Sequence, residues 1–127
     1  MSSILAASKL TAFVATVNPA RAKAFYKDTL GLTLVSEDNF AIVFNANGTP
    51  IRVTTVHEIV IAGYTVLGWE VADIEATLTA LTNKGVRFEK FPGLPQAENG
   101  IWDAPSGARI AWFKDPDGNL LSIAQMP

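Results

Sequence analysis

The stretch IAWFKDPDGNLLSIA, Ile110 to Ala124, sets two apolar runs on either side of Asp115-Pro116-Asp117-Gly118. The four central residues are turn chemistry. Pro116 presets the φ that the second turn position needs, the Asp115 side chain can accept from backbone ahead of it, and Gly118 tolerates positive φ. The flanks are rich in Ile, Trp, Phe and Leu, so the stretch predicts a β-hairpin with a four-residue connection.

Outward from this hairpin the chain reads as one supersecondary order, used twice. Lys9 to Val17 has strand length and β-leaning residues. Asn18-Pro19 then opens a helix, because Asn caps well and Pro suits the first helical position. Ala22, Phe25, Tyr26 and Leu30 recur at helical spacing, and Gly31 sits where a left-handed C-terminal cap belongs. Leu32–Ser36 and Phe40–Asn45 read as strands, and Asn47-Gly48 is a two-residue hairpin signal leading into Ile51–Val56. In the second half Tyr64–Val71 is a strand. Asp73 starts a helix with Ile74, Leu78 and Leu81 on one face, and Lys84-Gly85 ends it. Val86–Phe91 reads as a strand, and residues 92–107 as a long loop carrying Pro92, Pro95, Pro105, Gly93, Gly100 and Gly107. The same distance separates Val17 from Gly31 and Val71 from Gly85, as an internal repeat requires. The expected fold class is α+β, with two βαβββ modules at about 9–57 and 64–125. At this length they are expected to share a core as a single domain over 1–127. The simplest arrangement is one curved eight-stranded mixed sheet with the helices on its convex side.

Bulk properties narrow the function classes. The chain has 127 residues, 49% of them hydrophobic and 17% charged, a globular composition. A net charge of −2 with scattered basic residues argues against nucleic acid and against an anionic membrane surface as partners. The absence of cysteine excludes disulfides, thiolate metal sites and a cysteine nucleophile. MSSILAASKL lacks the charged start and long apolar core of a secretory signal, and no apolar run approaches the roughly 20 residues of a membrane helix. The expected setting is cytoplasmic.

The repeat, the segment NPARAKAFYKDTLG (Asn18–Gly31) and the Asp115–Asn119 turn resemble the glyoxalase / bleomycin-resistance / dioxygenase proteins, the vicinal-oxygen-chelate superfamily. The likeness runs from about Lys9 to Gln125. The resemblance implies the paired βαβββ modules and a homodimer. In metal-dependent members each of four strands facing the cavity supplies one ligand. Those positions fall here on Thr11, Arg52, Val66 (or Thr65 if the register slips by one) and Ser122. A divalent site wants His nitrogen or carboxylate oxygen at about 2.0–2.2 Å. None of these residues offers either, so no metal and no other cofactor is expected. The expectation is therefore a small-molecule binder without the usual metal site, or a metal-independent enzyme. Its rivals are a metal-dependent lyase, isomerase or dioxygenase using carboxylates such as Glu37, Glu58, Glu70 and Glu98, a drug-sequestering resistance protein, and an interaction module with a filled cavity.

The candidate ligand-binding residues are Arg52, Glu70, Trp102, Phe13, Thr11 and Ser122. Arg52 reads either as a clamp for a carboxylate or phosphate or as a rim charge, and strand alternation puts Thr54 on its face. The two weak catalytic candidates are Glu70, as an acid or base in an apolar setting, and His57, with its near-neutral pKa; the bland alternatives are an exposed or Arg-paired glutamate and a solvated loop histidine. Phe13, Phe44, Trp69, Trp102 and Trp112 are candidates for an apolar cavity wall, or plain core. Trp102, in the Gly/Pro-rich loop, reads as a lid or an interface residue. The ligand so implied has an apolar body and an anionic group.

Overall fold

In the computed structural model, which describes residues 4–127, the hairpin at Asp115 is held by a single carboxylate. Asp115 Oδ1 accepts from the backbone N–H of Asp117 and of Asn119, both at 2.9 Å, and Oδ2 accepts from Asn119 Nδ2 at 2.8 Å. The Asp115 and Gly118 amides close the turn onto the carbonyls of Asn119 and Asp115, each at 3.0 Å, and Gly118 takes the positive φ (+93°) the turn requires. Asp115 is only 5% exposed, so these bonds satisfy a carboxylate that water barely reaches.

The chain divides into two compact units, one ending at Ile59 and the other spanning Val60–Pro127. In the first, β1 (Ala12–Thr16) leads into α1 (Pro19–Ala24), followed by β2 (Thr33–Glu37), β3 (Ala41–Ala46) and β4 (Thr49–Thr55). Asn18 caps α1 as expected, its Oδ1 accepting from Arg21 N at 3.1 Å. The helix then widens into a π-helical turn, Phe25–Thr29, closed by Leu30 N onto Phe25 O, before Gly31 reverses the chain at φ +75°. That wider turn carries Tyr26, fully buried with its ring 5.9 Å from Phe44. Asn47 and Gly48 both have positive φ, the mirror-image turn their sequence predicts for the β3–β4 hairpin.

The second unit repeats the order: β5 (Leu67–Glu70), α2 (Ile74–Asn83), β6 (Trp102–Asp103), β7 (Arg109–Lys114) and β8 (Leu120–Gln125). Asp73 caps α2 through Ala76 N, and Gln125 Oε1 accepts from Ile74 N at 2.9 Å, tying the helix start to the last strand. The eight strands form two four-stranded mixed sheets, in the orders β1-β4-β3-β2 and β5-β8-β7-β6. In each, the first strand lies parallel to the last and the remaining pairs are antiparallel. The two βαβββ modules of the sequence are therefore real, and the hydrogen-bonded ladders close within each module instead of running through a single eight-stranded sheet.

One expected strand is displaced. To the sheet Val86–Phe91 contributes an isolated bridge at Phe88 to Phe113 and one bond from Glu89 N to Trp112 O. Gln96 explains why: its amide accepts from Phe91 N at 2.7 Å and donates to the carbonyls of Glu89 and Gly100 at 2.9 and 2.8 Å. A side chain has taken backbone groups that a ladder would otherwise use. The fourth strand of the sheet is instead Trp102–Asp103, inside the stretch that reads as loop.

Burial alternates along β4, β7 and β8. Val14, Phe44, Ile51 and Val53 in the first unit, and Ala111, Phe113, Leu121 and Ile123 in the second, face that unit's own helix and are buried. Each large apolar side chain so buried is worth about 1.5–3 kcal/mol. Replacing Asp115 with Ala removes three bonds to a charged acceptor and leaves their donors to compete for water. Asp115→Ala should lower unfolding stability by about 2–4 kcal/mol. Urea denaturation checks this, as a lower midpoint at unchanged slope; a change under about 0.5 kcal/mol would mean Asp115 does not hold the turn.

Candidate functional site

The face of each sheet turned away from its helix carries the residues of chemical interest. In the first unit, Phe13 and Val43 both stand opposite Arg52, and Thr54 stands opposite Ala15 and Ala41. Arg52 and Thr54 therefore share a face as expected, together with Phe13, which is 62% exposed. Thr11 lies half-buried just before β1. Arg52 is half-buried, and among the described residues its side chain makes no hydrogen bond or ion pair. Its charge reaches Asp38, whose carboxyl lies below the usual range. The larger causes there are the N–H groups of Phe40 and Ala41, at 2.8 and 3.0 Å from Asp38 Oδ1, with the Arg52 charge a lesser one.

In the second unit, two rows cross the open face. Gly68, Ser122 and Trp112 stand side by side in one; Glu70, Ala124, Ile110 and Trp102 make the other. Trp112 is fixed from three directions while half-buried. Its indole Nε1–H donates to Thr65 Oγ1 at 3.1 Å, Phe91 meets it edge-on with centroids 5.4 Å apart, and Trp102 lies 6.1 Å away, tilted 32°. Gly68 leaves space that Ser122 uses: a Cβ at Gly68 would lie 2.8 Å from Ser122 Oγ. Gly68, Ser122 and Ala124 thus make a low strip of small residues beside the aromatic group.

Several expectations change on this geometry. Trp102 is not stranded in a loop without sheet to pack on; it belongs to β6, pairs with Ile110 and packs near Trp112. Phe44 is core, fully buried on the helix side. Trp69 is half-buried, beside Ile123, on the same side of its sheet as α2. Val66 and Glu70 do share the open face, and Glu70 is exposed. His57 is exposed in the bend after β4. Of the carboxylates a displaced metal site would recruit, Glu37 is paired with Lys23 at 2.7 Å, while Glu58 and Glu98 are exposed. Arg109, whose pKa is raised by its bonds to Asp103 and then Glu75, is tied to α2 and serves structure. The residues that sequence reasoning missed are Phe91, which it placed in a strand, and Gly68. The only available signal for Gly68 was a glycine in an otherwise strand-like run.

Comparison with known proteins decides the family. The sequence model of the Glyoxalase/Bleomycin resistance protein/Dioxygenase superfamily matches residues 9–123. The chain belongs to that superfamily. The uncharacterized protein YraH of Bacillus subtilis (strain 168) is 34% identical over 118 residues, covering 80% of this chain and 85% of YraH. Among solved structures, a glyoxalase family protein from Bacillus anthracis matches over 100% of both chains, with a TM-score of 0.79 and 16% identity. Lactoylglutathione lyase from Agrobacterium tumefaciens matches with a TM-score of 0.71 and 16% identity, covering 94% of this chain and 93% of its own. At that identity these structures speak for the fold alone. No helix among the described residues is long and apolar enough to cross a membrane.

The superfamily's divalent ion finds no fitting donor set at the positions its pattern designates. Thr11, Val66 and Ser122 bring no imidazole or carboxylate, and Arg52 brings a cation. Slipping the register to Thr65 does not help, because its hydroxyl is neither an imidazole nor a carboxylate. Among the described residues no three of His, Asp and Glu are grouped as a metal ion would need.

The approach of Ser122 to Gly68 is open to a direct check. Gly68→Ala should cost about 1 kcal/mol through overpacking. In a Ser122→Ala background the cost should shrink by at least about 0.5 kcal/mol. Additive effects in the double-mutant cycle would show that the two residues do not meet.

Proposed function

We propose that this protein binds a small organic ligand on an open sheet face without the superfamily's divalent ion, and that the ligand joins an apolar body to a carboxylate or phosphate. Arg52 carries the proposal. A guanidinium at a metal-ligand position opposes a cation and suits an anion, for which its paired donors are shaped. The side chain has no partner among the described residues, and Asp38 Oδ1 is already occupied by two backbone donors. Phe13, exposed directly opposite Arg52 on the parallel strand, offers apolar surface beside the charge. Thr11 belongs to the same proposed contact set in the first unit; Glu70, Trp102 and Ser122, on the open face of the second unit, are proposed as that unit's own ligand contacts, with Glu70 and His57 as the groups to test should turnover be found. The proposed assembly is a homodimer.

Three measurements test this reading. Elemental analysis of protein purified without chelator should give no stoichiometric zinc, nickel, iron or manganese; one equivalent per chain would refute metal independence. Light scattering at micromolar concentration should give about twice the chain mass of 13.6 kDa, and the monomer mass alone would remove the dimer. In a screen of small acids against neutral isosteres, acids should bind preferentially, and Arg52→Met should weaken them about ten- to a hundredfold. Equal binding of neutral and acidic compounds, or an unaltered Arg52→Met, would reduce Arg52 to a surface charge.

A further inference from the structure

Asparagine is thermolabile, most of all before glycine, whose nitrogen no side chain shields from the neighbouring carboxamide. The chain holds this pair twice, at Asn47-Gly48 and at Asn99-Gly100. The first serves the β3–β4 turn. The second lies in a strap, residues 91–101, none of which belongs to a strand. The strap's geometry calls for both residues of the pair. Gly100 sits at φ +101°, and a Cβ on it would lie 3.2 Å from Phe88 Cβ. Asn99 is exposed, and its Oδ1 accepts from the N–H of the buried Ile101 at 3.1 Å.

In the closed strap the pair is kept from reacting. The Gly100 N–H donates to Ala97 O at 2.9 Å, which holds its proton away from solvent base, while the Asn99 carboxamide is engaged on Ile101 N. Ala97 N donates to Ile101 O at 2.7 Å, and the Gln96 amide joins Phe91 N, Glu89 O and Gly100 O. One side chain is therefore the hub of the closure. Pro92, Gly93, Pro95 and Ala97 to Asn99 are exposed, so the strap can open while the sheet stays folded.

We infer that Asn99 is a self-modification site gated by the Gln96-held strap, converted to aspartate and isoaspartate whenever the strap stands open. In the open strap Gly100 N gives its proton to base and attacks Asn99 Cγ. The N–Cγ bond forms, the Cγ–Nδ2 bond breaks, and Nδ2 leaves as ammonia after taking up a proton. Water then adds to one of the two carbonyl carbons of the succinimide ring and breaks that carbon's bond to Gly100 N. Breakage at Cγ gives aspartate; breakage at the main-chain carbonyl of residue 99 gives isoaspartate. Either product sets a new carboxylate beside Glu98. Isoaspartate also adds one atom to the backbone, so Gly100 O no longer meets the Gln96 amide in register. The conversion is one-way, and it involves the chain's own atoms and water whether or not a ligand binds.

The test incubates the full chain at mildly alkaline pH and maps its peptides by mass spectrometry, scoring aspartate and isoaspartate at each asparagine. Asn99 should give both products, faster as pH rises. Gln96→Ala should speed the conversion about tenfold or more, because three hydrogen bonds that oppose opening are gone. Asn47 is the internal control and should keep its rate: it lies in the other unit, where Gly48 N donates to Asn45 Oδ1 at 2.7 Å. Gln96→Glu keeps the acceptor for Phe91 N and loses both donors, so its rate should fall between the two.

Because Gln96→Ala can also disturb folding, hydrogen exchange is read on the unaltered protein. The amides of Phe91, Ala97, Gly100 and Ile101 should share one degree of protection, lower than that of the β7–β8 ladder, and should lose it in the isoaspartate fraction. Strap amides as protected as the ladder, or an Asn99 rate that Gln96→Ala leaves unaltered, would overturn the gate. Equal acceleration at Asn47 would assign the effect to global unfolding and overturn it too. No conversion of Asn99 even in the Gln96→Ala protein would overturn the site itself.

Discussion

The register of β7 against β8 is the constraint on which the second unit depends, and Asp115 sets it. With its carboxylate satisfied by Asp117 N, Asn119 N and the Asn119 amide, the turn admits one pairing, in which Trp112 faces Ser122 and Phe113 faces Leu121. A slip of one residue would turn the core-facing Phe113 and Leu121 outward and bring Trp112 and Ser122 under the helix. The local chemistry of one turn thus separates a face that stabilises the fold from the face on which ligand binding is proposed. β5 extends the same logic, since its parallel pairing brings Gly68 beside Ser122.

The first unit reaches an equivalent arrangement by other means. Its hairpin is fixed by two consecutive residues of positive φ, Asn47 and Gly48, and β4 carries Arg52 and Thr54 outward while Ile51 and Val53 go to the core. The helix of each unit covers one face of its own sheet and leaves the other face uncovered by that helix. At the open-face positions that the family resemblance ties to metal binding, this chain carries Thr11, Arg52, Val66 and Ser122. Threonine, valine and serine have little to offer a divalent ion, and arginine actively opposes one. Such residues suit the proposed recognition by hydrogen bonding and apolar contact.

Much of this was legible in the sequence, because the governing signals are local. The Asp-Pro-Asp-Gly turn, the Asn18 and Asp73 caps, the Asn47-Gly48 hairpin and the glycines that end both helical segments each act within a few residues. They gave the module order, and alternation then gave the shared face of Arg52 and Thr54. What escaped depends on contacts distant in sequence or on side chains replacing backbone. Val86–Phe91 has the composition of a strand, but the Gln96 amide intercepts its hydrogen bonds. Trp102, amid glycines and prolines, gains its place by pairing with Ile110. The Trp112 clamp joins Thr65, Phe91 and Trp102, which no periodicity connects.

The central claim is ligand binding that needs no metal, and one titration reaches it most directly. Naphthoate, an apolar body bearing a carboxylate, is titrated into protein as purified, after exhaustive treatment with a chelator, and after adding back zinc, nickel, iron or manganese. The account predicts the same affinity in all three states, with the ligand seen by the tryptophan fluorescence. Binding that disappears on chelation and returns with one equivalent of metal would contradict it.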